Sequence, residues 1–296
     1  MYAQQERFSE GEAFACYAAD AGYDAIEVSH STSKEKLRAI LDCDVLPVRS
    51  IHQPAPYFEL PGGKSNAELN LAATQKSEHA EALQHALYSL EWAIEAGASA
   101  LVVHLGEVEM DWEDPEAELY RLYREAEVSS GRAEEARLEM KSRRAEAAPA
   151  YLEAARISLE KLVEVARPHN VVIGIENRLQ YHQIPLPSES RLLLEDFTAE
   201  EAGHWHDTGH AEVLDRLGFF PHGVWFETLP NSLVGAHVHD VRDELDHRVP
   251  GTATLDWSMV AEGLGSLDAI TLEIDQHEPD EAVRQAPAFL RSVGLA

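Results

Sequence analysis

The chain has 296 residues, 45% of them hydrophobic, and its formal net charge is −29 because 53 acidic residues outnumber 24 basic ones. This length suits one barrel domain of about 250 residues, and no apolar run reaches the ~18 residues that a membrane-spanning helix needs. The charge argues against a nucleic-acid partner, which usually binds a basic surface, and the N-terminus, which has neither a basic nor an apolar leader segment, predicts a cytoplasmic location.

Short apolar runs rich in β-branched residues alternate with longer helical patterns along the whole sequence. This alternation predicts a parallel α/β sheet whose strands are connected by helices. Helices are predicted at residues 12–21, 70–96, 152–166 and 258–263. The predicted strands lie at residues 25–28, 45–51, 100–104, 171–176, 203–206, 234–239 and 269–274.

These strands are one short of the eight that close a TIM-type (β/α)8 barrel. Residues 1–8 precede the first predicted helix, but the octet is short and polar. It predicts either a stub of the first strand or a coding sequence that starts further upstream. We therefore expect a single α/β barrel domain over residues 1–296 whose first strand is short or missing. The sheet should close imperfectly between the strands at 25–28 and 269–274.

Residues 114–149 interrupt the alternation after the strand that ends at His104. The segment is dense in Glu, Arg and Ala, and residues 129–131 are suited to a turn. It predicts a helical hairpin inserted into the barrel, and Pro149 is expected to break the chain before the next helix. A solvated hairpin without a chemical role is compatible with this pattern, and so is a lid or the arm of a homo-oligomer.

Imidazole or carboxylate side chains stand at or beside the ends of six predicted strands. The active site of a TIM barrel is built at the C-terminal ends of its strands. Clustered carboxylates repel one another and lose hydration at a barrel mouth, so they need a nearby cation. Imidazoles mixed with carboxylates suit Mn²⁺, Zn²⁺, Co²⁺ or Mg²⁺. In chain order these residues are His52, His104, Glu176, Asp207 with His210, His237 with His239 and Asp240, and Glu273.

Seven short motifs resemble, in the same order, the xylose isomerase-like TIM-barrel superfamily: SIHQPAPY, LVVHLG, GIEN, HDTGHA, GAHVHD, HRVPG and TLEI. The resemblance covers nearly the whole chain apart from the first strand and the insertion. It implies a shared metal core formed by Glu176, Asp207, His237 and Glu273. His239 is an alternative to His237, because residues two apart on a strand face the same side.

The isomerases and epimerases of this superfamily provide the first interpretation. The resemblance implies a divalent-metal-dependent enzyme that acts on a small sugar or polyol and moves a proton next to a metal-bound carbonyl. Glu176 and Glu273 are the predicted proton-transferring residues, each using one oxygen as a ligand and the other as a base. His210 and Arg242 are candidates for contacts with substrate hydroxyls.

The endonuclease IV type of abasic-site nuclease belongs to the same superfamily and provides the alternative, metal-dependent phosphodiester hydrolysis. His52 and His104 match its extra first-metal ligands, and His210 with His247 match part of its third site. The chain departs from it at Leu245, where that branch has an Asp two residues before the histidine.

A barrel that only binds a ligand is a third interpretation. About one metal equivalent fits an isomerase, up to three fit the nuclease branch, and none fits the binder.

Overall fold

A parallel seven-stranded sheet, nearly closed into a barrel, forms the centre of the computed structural model, which describes residues 1–295. Each strand pairs in parallel with the next, as the alternation of strands and helices predicted. A short antiparallel hairpin of two further strands follows the sixth strand of the chain. The strands are β1 (Ile26–Val28), β2 (Val48–His52), β3 (Ala100–Val103), β4 (Val172–Glu176), β5 (Ala202–Asp207), β6 (Leu233–Val238), β7 (Asp240–Arg242), β8 (Leu245–Arg248) and β9 (Ile270–Leu272).

Helices surround this sheet. The four predicted helices correspond to observed helices at Gly11–Asp20, Lys76–Glu95, the C-terminal half of Gly131–Ala166 and Trp257–Leu264, although the second begins at Lys76 rather than at residue 70. Among the described residues, no helix is both long enough and apolar enough to cross a membrane. The helices are α1 (Gly11–Asp20), α2 (Lys34–Cys43), α3 (Lys76–Glu95), α4 (Glu113–Arg124), α5 (Gly131–Ala166), α6 (Pro187–Leu194), α7 (Thr208–Arg216), α8 (Val224–Thr228), α9 (Trp257–Leu264) and α10 (Asp280–Ser292).

The sheet is open between β1 and β9, as predicted. Within residues 1–295 these two strands are the ends of the sheet, and a cavity of about 320 Å³ lies between them. The alternative of a stub strand at residues 1–8 is wrong, because that segment forms two short 3₁₀ turns. The octet has no β-branched residue, whereas a central parallel strand needs apolar side chains on both faces. Tyr2 and Phe8 instead pack against the barrel side of α10.

The insertion after β3 consists of α4 and the first half of α5. The prediction that Pro149 breaks the chain before the next helix is wrong, since Pro149 lies inside the 36-residue α5. A proline in a helix interior costs about 3 kcal/mol, but α5 is held on both sides of it. Its N-terminal half packs against α4 in one apolar cluster, and its C-terminal half packs against the main core. Arg144 also forms a buried ion pair with Glu189 on α6.

Trp205 on β5 fills the interior of the barrel. Its fully buried ring packs against Ala100 and Val102 of β3. Gly174 and Gly235 make room for it, since a Cβ added there would lie 2.8 and 2.1 Å from the ring. This packing closes the barrel below the C-terminal rim and leaves that rim as the place where polar side chains converge.

Candidate metal centre

Four of the predicted residues meet at the C-terminal rim. One ligand atom from each of Glu176, Asp207, His237 and Glu273 lies within 4.8 Å of the others, and all four side chains are buried. They come from the end of β4, the end of β5, the penultimate residue of β6 and the residue after β9. Parallel neighbouring strands bring these positions to one edge, as the barrel prediction required. We call them the four-residue group.

His237 lies at the centre of this group. Its Nδ1 is 3.2 Å from Glu176 Oε1, 3.3 Å from Glu273 Oε2 and 3.9 Å from Asp207 Oδ2. Burial alone would lower the pKa of His237, but the surrounding carboxylates raise it well above its ordinary value. Burial would likewise raise the pKa of Glu176 and of Glu273, yet the neighbouring imidazoles hold both well below the usual range. The group therefore contains ionised carboxylates, which a positive charge among them would stabilise.

A second group shares Glu176 with the first. Glu176 Oε2 lies 2.7 Å from His104 Nε2 and 3.1 Å from His52 Nε2, and the two imidazole nitrogens are 2.7 Å apart. The ligand atoms of these three residues also lie within 4.8 Å of one another. Glu176 thus faces the four-residue group with Oε1 and the imidazole pair with Oε2.

A third group forms where α7 meets the β7–β8 hairpin, from Asp207, His210 and His247. Asp246, adjacent to His247, provides a further carboxylate: its Oδ1 is 2.9 Å from His247 Nδ1, and its Oδ2 is 3.8 Å from His210 Nε2. Burial lowers the pKa of His247, but Asp246 and Glu273 outweigh it and raise that pKa to about 10. His247 adopts a left-handed backbone conformation with φ 56°. The side chains of Asp246 and His247 are mostly buried, while Leu245 is exposed.

His239 and Arg242 lie outside the four-residue group. His239 Nδ1 accepts a hydrogen bond from the His247 backbone N–H at 2.7 Å, so its Nε2 carries the proton and donates to Asp207 at 2.9 Å. The structure therefore brings His237, and not its alternative His239, into the group. Arg242 is exposed, and its guanidinium donates to the Thr252 carbonyl.

Sequence reasoning missed Glu27, His30 and Arg178. Glu27 lies in the middle of β1, with Oε1 2.7 Å from His237 Nε2. His30 lies half-buried two residues after β1, and loss of hydration lowers its pKa to about 3. The Arg178 guanidinium lies 3.5 Å from Glu176 Oε2. A charged residue between Ile26 and Val28 was a usable signal, because ionised groups are rarely buried without a partner.

The family model described as "Xylose isomerase-like TIM barrel" matches residues 16–293. No curated protein sequence matches the chain. Among solved structures, D-psicose 3-epimerase of Clostridium cellulolyticum H10 with D-tagatose is similar at 14% identity and TM-score 0.65, over 100% of this chain and 98% of that one.

Two further solved structures are similar over almost their full length. Escherichia coli 3-keto-D-glucoside 4-epimerase shares 17% identity and TM-score 0.63, over 96% of this chain and 95% of that one. A Thermus thermophilus protein soaked with ZnCl2 shares 20% identity and TM-score 0.59, over 94% of this chain and 91% of that one. At such identities the likeness establishes a common fold.

Proposed function

The chain belongs to the xylose isomerase-like TIM-barrel family, and from that premise we propose that it is a divalent-metal-dependent isomerase or epimerase of a small sugar or polyol. The observation that supports this proposal is the four-residue group, three buried carboxylates and one imidazole converging at the barrel mouth. The similarity of the fold to sugar epimerases is consistent with it.

The donor set fits a divalent cation. Buried carboxylates are stabilised by a positive charge among them, and three carboxylates with one imidazole suit Mn²⁺, Zn²⁺, Co²⁺ or Mg²⁺. Glu176, Asp207, His237 and Glu273 would hold the ion. When bound, such an ion polarises the carbonyl and hydroxyl oxygens of a substrate and acidifies the neighbouring C–H.

Glu176 and Glu273 would then carry the proton. They reach the group from β4 and from the end of β9, so a substrate carbon between them can lose a proton to one and regain it from the other. Their surroundings differ. Both oxygens of Glu176 face imidazoles, whereas the imidazole contacts of Glu273 run through Oε2. Glu273 Oε1 is therefore the better candidate for the first proton acceptor.

Metal-dependent phosphodiester hydrolysis is the second candidate function, and one observation favours it. Four further groups of candidate ligand atoms each share one residue with the four-residue group, and Asp246 supplies a carboxylate beside His210 and His247 despite the exposed Leu245. Such a set could hold more than one ion. The net charge of −29 weighs against a nucleic-acid substrate.

Metal content and substrate scope test the proposal together. The purified protein is analysed for bound metal and assayed on a panel of ketoses, inososes and DNA with an abasic site. We expect about one tightly bound equivalent and exchange of a substrate C–H proton with heavy water. Cleavage of abasic DNA by a protein that holds two or three metal equivalents would support phosphodiester hydrolysis instead. A protein that binds no divalent ion would contradict both.

A further inference from the structure

We propose that Glu27 is a positioning residue that fixes the tautomer and orientation of His237 in the candidate metal centre. This inference rests on the proposed metal-dependent function and extends it to a residue outside the four-residue group. Glu27 lies on β1, next to the open seam of the barrel, and its side chain is only 6% exposed. Its role would be exerted through His237 and not on the substrate.

The imidazole of His237 lies between two sets of carboxylates. Its Nε2 is 2.7 Å from Glu27 Oε1, while its Nδ1 faces Glu176 at 3.2 Å and Glu273 at 3.3 Å. An ionised carboxylate can only accept a hydrogen bond, so Nε2 must carry a proton in this contact. A metal ligand must present a lone pair, and Nδ1 is the nitrogen that faces the four-residue group. Once His237 is neutral, as a metal ligand must be, Glu27 therefore favours the tautomer that presents the Nδ1 lone pair to a cation.

Glu27 is itself held by neighbouring strands. The Ser50 hydroxyl donates to Glu27 Oε2 at 2.6 Å, and the Thr271 hydroxyl lies 3.4 Å from the same oxygen. The strand register explains both contacts, because Glu27 pairs with Ser50 between β1 and β2, and His237 pairs with Thr271 between β6 and β9. These four side chains form one layer across the seam, in which Oε2 is anchored and Oε1 is free to bind His237.

A carboxylate behind a ligating imidazole has a known physical effect. It fixes the ring and raises the basicity of the nitrogen that binds the metal, and its loss typically costs about 10- to 100-fold in metal affinity. The chain also contains a matched pair elsewhere: Glu212 Oε2 lies 3.1 Å from His222 Nδ1, outside every group of candidate ligands among the described residues. Glu212→Gln therefore makes the same chemical change on an imidazole that has no ligand role.

The test compares metal binding by wild type, Glu27→Gln and Glu212→Gln. Each protein is stripped with a chelator, checked for folding by circular dichroism and titrated with Co²⁺ by calorimetry and visible absorption. We expect Glu27→Gln to bind the same number of ions about 10- to 100-fold more weakly, and Glu212→Gln to bind like wild type. In ¹⁵N-histidine spectra of the Zn²⁺-loaded wild type, we expect His237 to bind through Nδ1 with a proton on Nε2.

The remaining outcomes of this test contradict either the positioning role of Glu27 or the proposed metal-dependent function. Wild-type affinity in Glu27→Gln would overturn the positioning role while leaving the metal centre intact. Loss of one whole equivalent would identify Glu27 as a direct ligand, with His52 and His237, and would also overturn the positioning role. A wild type that binds no ion overturns the proposed function and this inference with it. If Glu27→Gln does not fold, the same titration is made with Glu27→Asp, which keeps the charge but is too short to reach His237 in the same way. We expect Glu27→Asp to bind the metal more weakly than wild type. Wild-type affinity in Glu27→Asp would contradict the proposal.

Discussion

Histidines gather in two buried regions on opposite faces of β5, and the two regions differ in the carboxylates that accompany them. On the inner face, Asp207 joins the four-residue group, with Glu27 behind His237. On the outer face, His206 Nε2 lies 3.0 Å from His222 Nε2, and His222 Nδ1 lies 3.1 Å from Glu212. We call His204, His206, His222 and Glu212 the outer network.

Hydrogen bonds connect the members of the outer network to one another. Glu212 accepts a hydrogen bond from His222 Nδ1, and His222 Nε2 is hydrogen-bonded to His206 Nε2, so hydrogen bonds connect the two rings and the carboxylate. Burial lowers the pKa of His204 to about 3 and that of His206 well below its ordinary value, which keeps both neutral. The four-residue group has no such solution, because its three carboxylates outnumber its single imidazole. The excess of carboxylates, and not the number of histidines, therefore distinguishes the candidate metal centre.

The largest expected effect of this difference is on catalysis. Glu273→Gln and Glu176→Gln remove the negative charge and most of the basicity of the proposed proton carriers while keeping their size. General-base catalysis is usually worth about a hundred- to ten-thousandfold, so turnover should fall by that factor. The measurement is exchange of the substrate C–H proton with heavy water, using metal-loaded protein.

Glu212→Gln is the control for this prediction, because it changes a half-buried glutamate of the outer network in the same way. Its exchange rate should stay close to that of wild type. We further expect Glu273→Gln to keep more of its metal affinity than Glu176→Gln, since both oxygens of Glu176 face imidazoles, whereas the imidazole contacts of Glu273 run through Oε2 alone. Near-normal exchange in both active-site variants would rule out the two-glutamate mechanism.

The next effect in size is the stabilisation that a bound ion gives to the fold. An ion that binds only the native state adds about 2.7 kcal/mol when its free concentration is about 100 times Kd. Adding Mn²⁺ or Zn²⁺ to chelator-treated protein should therefore raise Tm in wild type and in Glu212→Gln. Asp207→Asn should lose most of that rise, because it removes a carboxylate of the four-residue group. A rise of the same size in Asp207→Asn would exclude Asp207 as a ligand.

A smaller effect is expected on the stability of the metal-free protein when the outer network is broken. His222→Phe keeps a ring that can pack against Phe226 but removes the hydrogen-bond partner of Glu212 Oε2 and of His206 Nε2. A buried polar group left without its hydrogen bond costs about 1–3 kcal/mol. Urea denaturation should show that loss, while Co²⁺ affinity stays at the wild-type value. A variant of normal stability with impaired metal binding would reverse our assignment of the two regions.

The strands and the rim residues could be predicted because both depend on simple periodicity. β-branched runs mark the strands, and parallel strands deliver the residues that follow them to one edge. Asp207 and His237 were found in this way. His204 and His206 face outward because side chains alternate along a strand, and the rim argument left them out of the site.

Other features depend on tertiary contacts that no local pattern encodes. The left-handed turn at His247 brings Asp246 into the site although the spacing of the motif is altered. The role proposed for Glu27 depends on its contact with His237, which lies 210 positions away in the chain. Pro149 continues α5 because packing on both sides of it outweighs the local preference for a break. Each of these results from packing between distant segments.

The smallest expected effect concerns salt, which should act on the surface charge and much less on the four-residue group. The net charge of −29 implies repulsion among exposed carboxylates. The Debye length falls from about 10 Å at 0.1 M salt to about 3 Å at 1 M, so raising NaCl over this range should raise the Tm of the metal-free protein. Buried charges are screened much less. The additional Tm rise caused by saturating Mn²⁺ should therefore be nearly the same at both salt concentrations. Differential scanning fluorimetry with and without chelator measures both quantities, and a metal-induced rise that disappears at 1 M NaCl would show that the ion binds exposed surface carboxylates instead of the barrel mouth.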